Sequence, residues 1–500
     1  MFLRPRLIDL KIIGFYTGKL ILGIGFAMLL PLAISLFNRE WGPVIDFVIG
    51  SSIAFSAGYL LSITCSNKKE MSWMHGILVV PVAWLAAMLF GAIPLYLSGH
   101  FLSFLDAMFD AMSGFTATGL TLIQDLDHLS YGHNFWRHLT MFIGGQGIVV
   151  VMLTLMTGGA SGIYGMYVGE AREEKILPNL FQTTRFIVSV TLIYLGLGVT
   201  TLWLVGWQIG IPPLRSLFHA ITIFVSGFNT GGFSPQSQSV IYYHSATYEF
   251  AMMPFMIAGA INFAVYYALF SGNRREIYKN AELLTMSAAI CTTFAIAAVA
   301  LSQIGIYNET FSVFRRGFYQ QISALTSTGF TTVYSSQIPD LWGPLGLFGM
   351  MVAMGLGASI GSTAGGIKMH RLMIIFKAFS LEIKRMLLPP SSVIVEKYHH
   401  LKKNVITEKL LLNAFIIGFA YVASYIIAAI AGTFYGYSFI DSLFQSISAG
   451  ANNGISSRIP LVDAPSALKI VYMIQMWAAR LEFISIVALI GFIISSVRGK

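Results

Sequence analysis

Long apolar stretches alternate with short polar segments along the whole chain. About 20 apolar residues in a helix are enough to cross a bilayer. The first stretch reaches this length without the small-residue cleavage site of a signal peptide, so it predicts a retained helix. Ten stretches predict transmembrane helices, at 20–37, 44–64, 76–98, 137–157, 184–206, 249–271, 283–306, 343–378, 407–432 and 468–495.

Four shorter mixed segments lie between these stretches, and each is too short to span a membrane. Each of them ends in a polar string that contains glycine. Irregular backbone at membrane depth is tolerated only where protein buries it or where it lines a water-filled path. The pattern therefore predicts four re-entrant half-helices, at 103–115, 213–228, 312–325 and 438–450, each followed by a loop inside the membrane.

The four polar strings align with one another at their glycines. They read "TATGL" (116–120), "NTGGF" (229–233), "TSTGF" (326–330) and "ANNGI" (451–455). Each follows a half-helix and precedes a full span, at a spacing typical of internal repeats. The predicted fold is an all-α integral membrane protein with two N-terminal helices (1–70) and four pseudo-repeats (71–165, 166–272, 273–400 and 401–500).

Four glycine loops in one chain must share a single path through the membrane. Rings of backbone carbonyls that replace a hydration shell form potassium filters, and the C-terminal partial charge of each half-helix also attracts cations. The threonine hydroxyls can either bind the ion or bond back to support the loops. The candidate ion-binding residues are Thr116, Ala117, Thr118, Gly119, Asn229, Thr230, Gly231, Gly232, Thr326, Ser327, Thr328, Gly329, Ala451, Asn452, Asn453 and Gly454.

The stretch 343–378 contains the string "GLGASIGSTAGG" in its middle. Because glycine costs about 1 kcal/mol relative to alanine at a helical position, this span is predicted to break into a loop that can obstruct the pore. The alternative is close packing of small residues between helices. The candidate gate residues are Gly355, Gly357, Gly361, Ser362, Thr363, Gly365, Gly366 and Arg480.

Arg480 lies deep in the last apolar stretch. An arginine there costs about 2.5–3.5 kcal/mol on insertion scales, so it should face water, carbonyl groups or an acid. Two placements follow from this, one along the pore and one in a buried pair with Glu482 or another acid.

Composition and charge agree with a membrane protein. The chain is 56% hydrophobic and only 11% charged, whereas soluble domains average about 25% charged residues. Most lysines and arginines fall in 1–19, 68–69, 170–185, 274–279, 368–409 and 498–500, so both termini are predicted to be cytoplasmic. This bias accounts for the net charge of +9 without a nucleic-acid partner.

Several further strings strengthen a family resemblance that the four loops already suggest. They are "FWRHLTMFIGGQGI" after the first loop, "INFAVYY" after the second, "GSTAGGIK" after the third and "ARLE" after the fourth. With these strings the chain resembles the Trk/Ktr/HKT superfamily of cation transporters, and more closely the Trk-type potassium-uptake transmembrane subunit. The two additional N-terminal helices are similar to those of the Trk branch.

The resemblance implies potassium uptake, with K⁺ as the transported ion and no organic cofactor, and an inside-negative membrane potential alone can drive accumulation of this ion. In the family, potassium lies against the backbone just before each glycine, an intramembrane loop is the gate, and the arginine that matches Arg480 is an electrostatic barrier. Plant relatives with serine at the position of Gly119 favour sodium. The chain departs from the family at Asn452, Asn453 and Ala479.

The resemblance also implies a location and partners. Relatives are homodimers in the bacterial cytoplasmic (inner) membrane and sit on a cytosolic ring with nucleotide-binding domains. The basic segments 170–185 and 379–406 are where such a subunit would make contact, or where anionic membrane lipid would bind.

Two other functions compete with potassium uptake. A sodium or weakly selective cation transporter is favoured by the unusual fourth loop. An intramembrane enzyme would need a nucleophile and base or paired metal ligands, and the ten histidines form no such set in the sequence. The chain is therefore predicted not to be an enzyme.

Overall fold

The structure, a computed structural model, describes residues 6–66, 69–147, 160–170, 176–177, 179–334, 337–389 and 395–498. Helices dominate these ranges, with one short β-hairpin. The predicted all-α membrane fold is confirmed, while the boundaries of the four pseudo-repeats stay a prediction.

The helices and strands of the described ranges follow one another along the chain. They are α1 (Leu7–Ala27), α2 (Leu29–Phe37), α3 (Trp41–Thr64), α4 (Trp73–Leu97), α5 (Phe104–Phe115), α6 (Tyr131–Gln146), α7 (Ala160–Gly169), α8 (Leu180–Gln208), α9 (Pro213–Phe228), a 3₁₀ turn (Ser239–Tyr243), α10 (Ala246–Ala260), α11 (Phe263–Phe270), α12 (Glu276–Lys279), α13 (Ala281–Ile304), α14 (Thr310–Leu325), α15 (Gln337–Leu341), α16 (Gly343–Gly355), α17 (Met369–Leu387), β1 (Lys397–His400), β2 (Lys402–Val405), α18 (Glu408–Phe434), α19 (Phe439–Gly450), α20 (Ser466–Arg480) and α21 (Ile484–Arg498).

Six spans among the described residues are long and apolar enough to cross a membrane. In α4, 61% of the most apolar window is buried, compared with 28% in α3, α8 and α13. Helix α4 thus lies mostly inside the protein, whereas the other three helices expose apolar side chains as a bilayer requires. The spans are α1 with α2, then α3, α4, α8, α13 and α18.

The four half-helices are present as α5, α9, α14 and α19, with 12, 16, 16 and 12 residues. Serine caps start two of them, because Ser103 accepts from the amide of Asp106 at 3.2 Å and Ser438 from that of Asp441 at 3.1 Å. Helix α9 begins with Pro213, which needs no amide partner at a first turn.

Two predicted spans, at 249–271 and 468–495, are bent in the structure. Helices α10 and α11 meet at 96° and α20 and α21 at 110°. At the first bend Asn262 caps the start of α11, since its Oδ1 accepts from the amide of Ala264 at 2.8 Å. At the second bend Glu482 and Phe483 have left-handed φ angles of 48° and 65°.

Two more predicted spans differ in other ways. The stretch 343–378 is broken as expected, since α16 ends at Gly355 and α17 begins at Met369. The stretch 137–157 matches α6 only in its first part, and residues 148–157 lie outside the described ranges. The antiparallel hairpin of β1 and β2, which lies within the basic segment 379–406, was not predicted.

Candidate functional site

The four polar strings share one backbone conformation. Non-glycine residues rarely adopt positive φ angles, yet each string places one two residues before its glycine. These residues are Ala117 (52°), Thr230 (52°), Ser327 (58°) and Asn452 (52°). The glycines that follow, which we call the filter glycines, are Gly119 (92°), Gly232 (79°), Gly329 (79°) and Gly454 (89°).

The same two hydrogen bonds hold each string to the end of its half-helix. In the first loop, Ala117 N donates to Gly114 O at 2.9 Å and Thr118 N to Ser113 O at 2.8 Å. Such bonds satisfy the last carbonyls of a helix. Every half-helix has serine six residues before the filter glycine, a sequence signal that was missed: Ser113, Ser226, Ser323 and Ser448.

The loops form a closed ring. A Cβ atom on each filter glycine would overlap with the carbonyl oxygen just before the glycine of the next loop. The overlaps run from Gly119 to Gly231 O, Gly232 to Thr328 O, Gly329 to Asn453 O, and Gly454 to Thr118 O. The fourth loop therefore meets the first, and only glycine fits at these four positions.

A cavity of about 150 Å³, which we call the vestibule, opens on one side of this ring. Its lining includes Gly119, Gly232, Gly329 and Gly454. Four segments that are distant in sequence thus meet at one opening, as expected from the repeat.

Two threonine hydroxyls bond back to their half-helices. Thr116 Oγ1 donates to Met112 O at 2.7 Å, and Thr326 Oγ1 donates to Ile322 O at 2.7 Å. The hydroxyls of Thr116 and Thr118 lie 2.7 Å apart. These hydroxyls bond within the loops and their half-helices and so support the loops.

The two unusual asparagines tie the fourth loop to its neighbours. Asn452 Nδ2 donates to Thr118 Oγ1 of the first loop at 2.9 Å. Asn453 Nδ2 donates to Ala324 O, at the end of the third half-helix, at 2.6 Å. Their amides therefore cross-link the ring.

The string in the broken span forms a loop, residues 356–368, which we call the gate loop. Its neck is closed by Gly357 N, which donates to Ile367 O at 2.7 Å, and by Ile367 N, which donates to Gly355 O at 3.2 Å. A Cβ on Gly357 would overlap with Gly365 O, so this neck needs glycine. Gly361 and Gly366 have φ angles of 67° and 68°.

The gate loop lies against the filter ring. Thr363 Oγ1 donates to Phe228 O at 3.0 Å and to Gly259 O at 2.9 Å. Thr230 Oγ1 of the second string in turn donates to Thr363 Oγ1 at 3.3 Å. A Cβ on Gly365 would overlap with Ala451 O of the fourth string. The predicted gate residues therefore contact two of the four loops, although Ser362 Oγ donates within the gate loop itself, to Ser359 O at 2.6 Å.

Arg480 joins the gate loop to helix α6. Its Nη1 donates to Thr363 O at 2.8 Å, and its Nη2 donates to Gly144 O at 2.6 Å and Gly145 O at 3.2 Å. Arg480 and Gly365 also line a cavity of about 40 Å³ beside the gate loop. Arg480 thus faces backbone carbonyl groups, one of the surroundings expected for it from the sequence.

Glu482, considered as a partner for Arg480, forms a buried ion pair with Arg371 of α17. The side chains of Arg371 and Glu482 are 5% and 4% exposed. A buried pair of this kind is costly to break. It fixes the start of α17, just after the gate loop, against the bend between α20 and α21.

Three aspartates of the half-helices make local contacts. Asp106 accepts from Lys469 Nζ at 2.6 Å, and Asp110 accepts from Arg137 Nε at 2.9 Å. Asp441 accepts from Ser438 Oγ at 2.6 Å. Asp106 and Asp441 lie in the first turns of their half-helices, where a carboxylate is favourable, whereas Asp110 lies in the middle of α5.

Comparisons with known proteins identify the family. A family model described as TrkH, cation transport protein, matches residues 44–496. An uncharacterized cation transporter of Methanocaldococcus jannaschii is 32% identical over 96% of this chain and 95% of its own length. The Trk system potassium uptake protein TrkG of Escherichia coli is 26% identical over 89% of both chains.

A solved structure shows the same fold. The potassium transporter TrkH from Vibrio parahaemolyticus has a TM-score of 0.82 at 22% identity, over 96% of this chain and 98% of its own. The apolar spans and the match over nearly the whole length describe a multi-pass membrane protein. The chain belongs to the TrkH family of cation transport proteins, whose characterised relatives are potassium uptake transporters and not enzymes.

Proposed function

We propose that this chain takes up potassium across the cytoplasmic membrane through the ring of four glycine loops. The observation that carries the proposal is the closed cycle in which each filter glycine packs on the carbonyl before the next one. Carbonyls held in such a ring can replace the water around a potassium ion. The relatives named as potassium uptake proteins support the choice of ion.

The ligands in this proposal are the carbonyls of the two residues before each glycine. Each half-helix ends two residues before the first of these carbonyls, so its C-terminal partial charge adds to the attraction for a cation. They are Ala117 and Thr118, Thr230 and Gly231, Ser327 and Thr328, and Asn452 and Asn453.

Membrane potential supplies enough energy for uptake. Moving one charge through 100 mV is worth about 2.3 kcal/mol, or roughly a fiftyfold concentration ratio. Ions would then move from the vestibule through the ring, and past the gate loop and the charged side chain of Arg480. Both termini are cytoplasmic in this proposal, in keeping with the lysine and arginine bias.

Flux into liposomes tests the proposal. The purified protein is reconstituted, an inside-negative potential is imposed, and uptake of potassium, rubidium, sodium and lithium is compared. The proposal expects potassium and rubidium to enter well above sodium and lithium. Equal sodium uptake would establish the weakly selective alternative, and an absence of cation uptake even with a cytosolic partner would refute transport through the ring.

The gate proposal predicts a leak in Thr363→Val. The substitution keeps the shape of the side chain but removes the hydroxyl that donates to Phe228 O and Gly259 O. One lost hydrogen bond is worth about 1 kcal/mol, so we expect basal flux to rise about fivefold. The measurement is rubidium uptake without any partner.

Thr293→Val is the matched control for this variant. Thr293 is also buried, but its hydroxyl donates to Ala289 O within α13. Basal flux should stay at the wild-type level in the control. Equal flux in Thr363→Val and wild type would show that the gate loop does not limit conduction.

We further propose that the chain is a homodimer regulated by a cytosolic nucleotide-binding subunit. The basic segment that follows α17 carries the β1–β2 hairpin, which contacts α12 and the start of α13. Glu276 accepts from His399 Nε2 at 3.0 Å and from Leu401 N at 2.8 Å. Burial tends to raise the pKa of Glu276, but its hydrogen bonds, that from His399 foremost, hold the pKa below its usual value.

A chain of contacts leads from the hairpin to the gate loop. His400 Nδ1 lies 3.2 Å from Asn280 Nδ2 and 3.8 Å from Glu282 Oε2. Glu282 is buried, and its Oε1 accepts from Ile360 N of the gate loop at 2.6 Å. A subunit bound to the hairpin can therefore shift the gate loop through α13.

Glu282→Ala tests this route. The substitution removes the acceptor for Ile360 N, so flux should lose its response to the added cytosolic subunit. A nucleotide response equal to that of the wild type would contradict the route.

A further inference from the structure

Two buried glutamines hold the chain where it leaves the filter. Gln320 and Gln445 each stand nine residues before a filter glycine, and both are 0% exposed. Gln320 Oε1 accepts from Thr332 N at 3.2 Å, and Gln445 Oε1 accepts from Ser457 N at 2.9 Å. Both acceptors thus reach the residue three positions after the glycine. The same contact occurs in two repeats of different sequence.

The first repeat makes a related contact with different chemistry. Asp110 stands at the same position, nine residues before Gly119, and accepts from Arg137 Nε at 2.9 Å. Arg137 Nη2 in turn donates to Thr121 Oγ1, two residues after the glycine, at 3.1 Å. Both charged side chains are buried, at 0% and 1% exposure.

The second repeat has the apolar Ile223 at this position. In this repeat, side chains of the neighbouring helix α6 hold the residues that follow the glycine. Asn134 Nδ2 of α6 donates to Pro235 O at 3.0 Å. His138 Nε2 of α6 lies 3.3 Å from Phe233 O. All four loops are therefore held on the exit side of the glycine by a buried polar side chain.

We propose that Gln320, Gln445 and the pair of Asp110 with Arg137 are positioning residues that set the preference of the filter for potassium over sodium. The inference rests on the proposed function, because it assigns these residues to the same ring. The half-helix fixes each loop before its glycine. After the glycine, the first, third and fourth loops are fixed by the proposed residues, and the second by Asn134 and His138. Carbonyls held at both ends resist closing around a smaller ion, which is one source of selectivity in such filters.

The test compares Gln445→Met and Gln320→Met with wild type in rubidium and sodium uptake by liposomes. Methionine keeps the length of the side chain but replaces the amide oxygen with a thioether sulfur, a much weaker acceptor for the amides of Ser457 and Thr332. We expect the rubidium-to-sodium ratio to fall about fivefold in each variant, the factor for one lost hydrogen bond.

Gln321→Met is the matched control. Gln321 is adjacent to Gln320 and also 0% exposed, and its Nε2 donates to Met350 Sδ of α16 at 3.2 Å. This bond leads to a neighbouring helix and not to the chain after the glycine, so the ratio should stay at the wild-type value. Gln445→Glu retains an acceptor oxygen for Ser457 N and should recover most of the ratio, which a general packing defect would not.

The outcomes separate this inference from the function on which it rests. A wild type that does not discriminate between rubidium and sodium refutes the proposed filter itself. A selective wild type with an unchanged ratio in Gln445→Met and Gln320→Met refutes only the positioning role. If Gln445→Met does not fold, as judged by size-exclusion chromatography, Gln320→Met decides the same question in the third loop.

Discussion

Potassium flux falls about tenfold to a hundredfold in Gly454→Ala, because the new Cβ would overlap with Thr118 O of the first loop. Overpacking of this kind costs about 1–3 kcal/mol, and the displaced atom is a proposed ligand of the ion. Alanine at a φ of 89° adds backbone strain. Rubidium uptake by the reconstituted variant measures the loss.

Gly436→Ala separates the overlap from the backbone strain. Gly436 has a φ of 88°, and a Cβ at this position would point into open space, with no described atom beyond its chain neighbours within 4 Å. The two variants therefore share the conformational cost, but only Gly454→Ala disturbs the ring. Similar losses of flux in both variants would show that strain, and not the carbonyl ring, determines the effect.

Arg480→Gln raises basal flux about thirtyfold. A unit charge about 7 Å from a passing ion costs about 2 kcal/mol at an effective dielectric constant of about 20. The substitution also removes the bonds from the guanidinium to Thr363 O, Gly144 O and Gly145 O, which hold the gate loop to α6. Both effects act in the same direction. Rubidium uptake without any partner is the measurement.

Two further variants test whether the charge of Arg480 or its hydrogen bonds to the gate loop and α6 limit flux. Arg480→Lys keeps the charge but loses the forked donors, so its flux should lie between those of wild type and Arg480→Gln. Arg385→Gln removes an arginine that is 52% exposed and paired with Glu382, and it should leave flux unchanged. Wild-type flux in Arg480→Gln would exclude a role for this charge as a barrier.

The sequence was most informative where helices end. The C-terminal ends predicted for the four half-helices coincide with Phe115, Phe228, Leu325 and Gly450. A glycine string after a short apolar segment marks such an end, because the chain must turn there. The break after Gly355 was predictable for the same reason.

The bends within the apolar stretches were harder to predict than the lengths of the stretches. Hydropathy is the same for a straight and a bent apolar stretch, so the bends at Asn262 and Glu482 were not expected. Asn262 carried a local signal, since asparagine commonly caps a helix start. The left-handed conformation of Glu482 has no such signal in its sequence.

Contacts between repeats could not be predicted from one sequence. The cross-links made by Asn452 and Asn453 join residues that are 334 and 129 positions apart, and these side chains were interpreted as a departure from the family. Gln320 and Gln445 stand at the same offset from their glycines, so an alignment of the four repeats could have found them.

The most direct test of the central claim is to locate the ion. Crystals of the protein grown in rubidium would be measured at the rubidium absorption edge for anomalous difference density. The account predicts a peak on the axis of the ring, among the carbonyl oxygens of Thr118, Gly231, Thr328 and Asn453. An empty ring, with rubidium bound elsewhere in the membrane region, would contradict it.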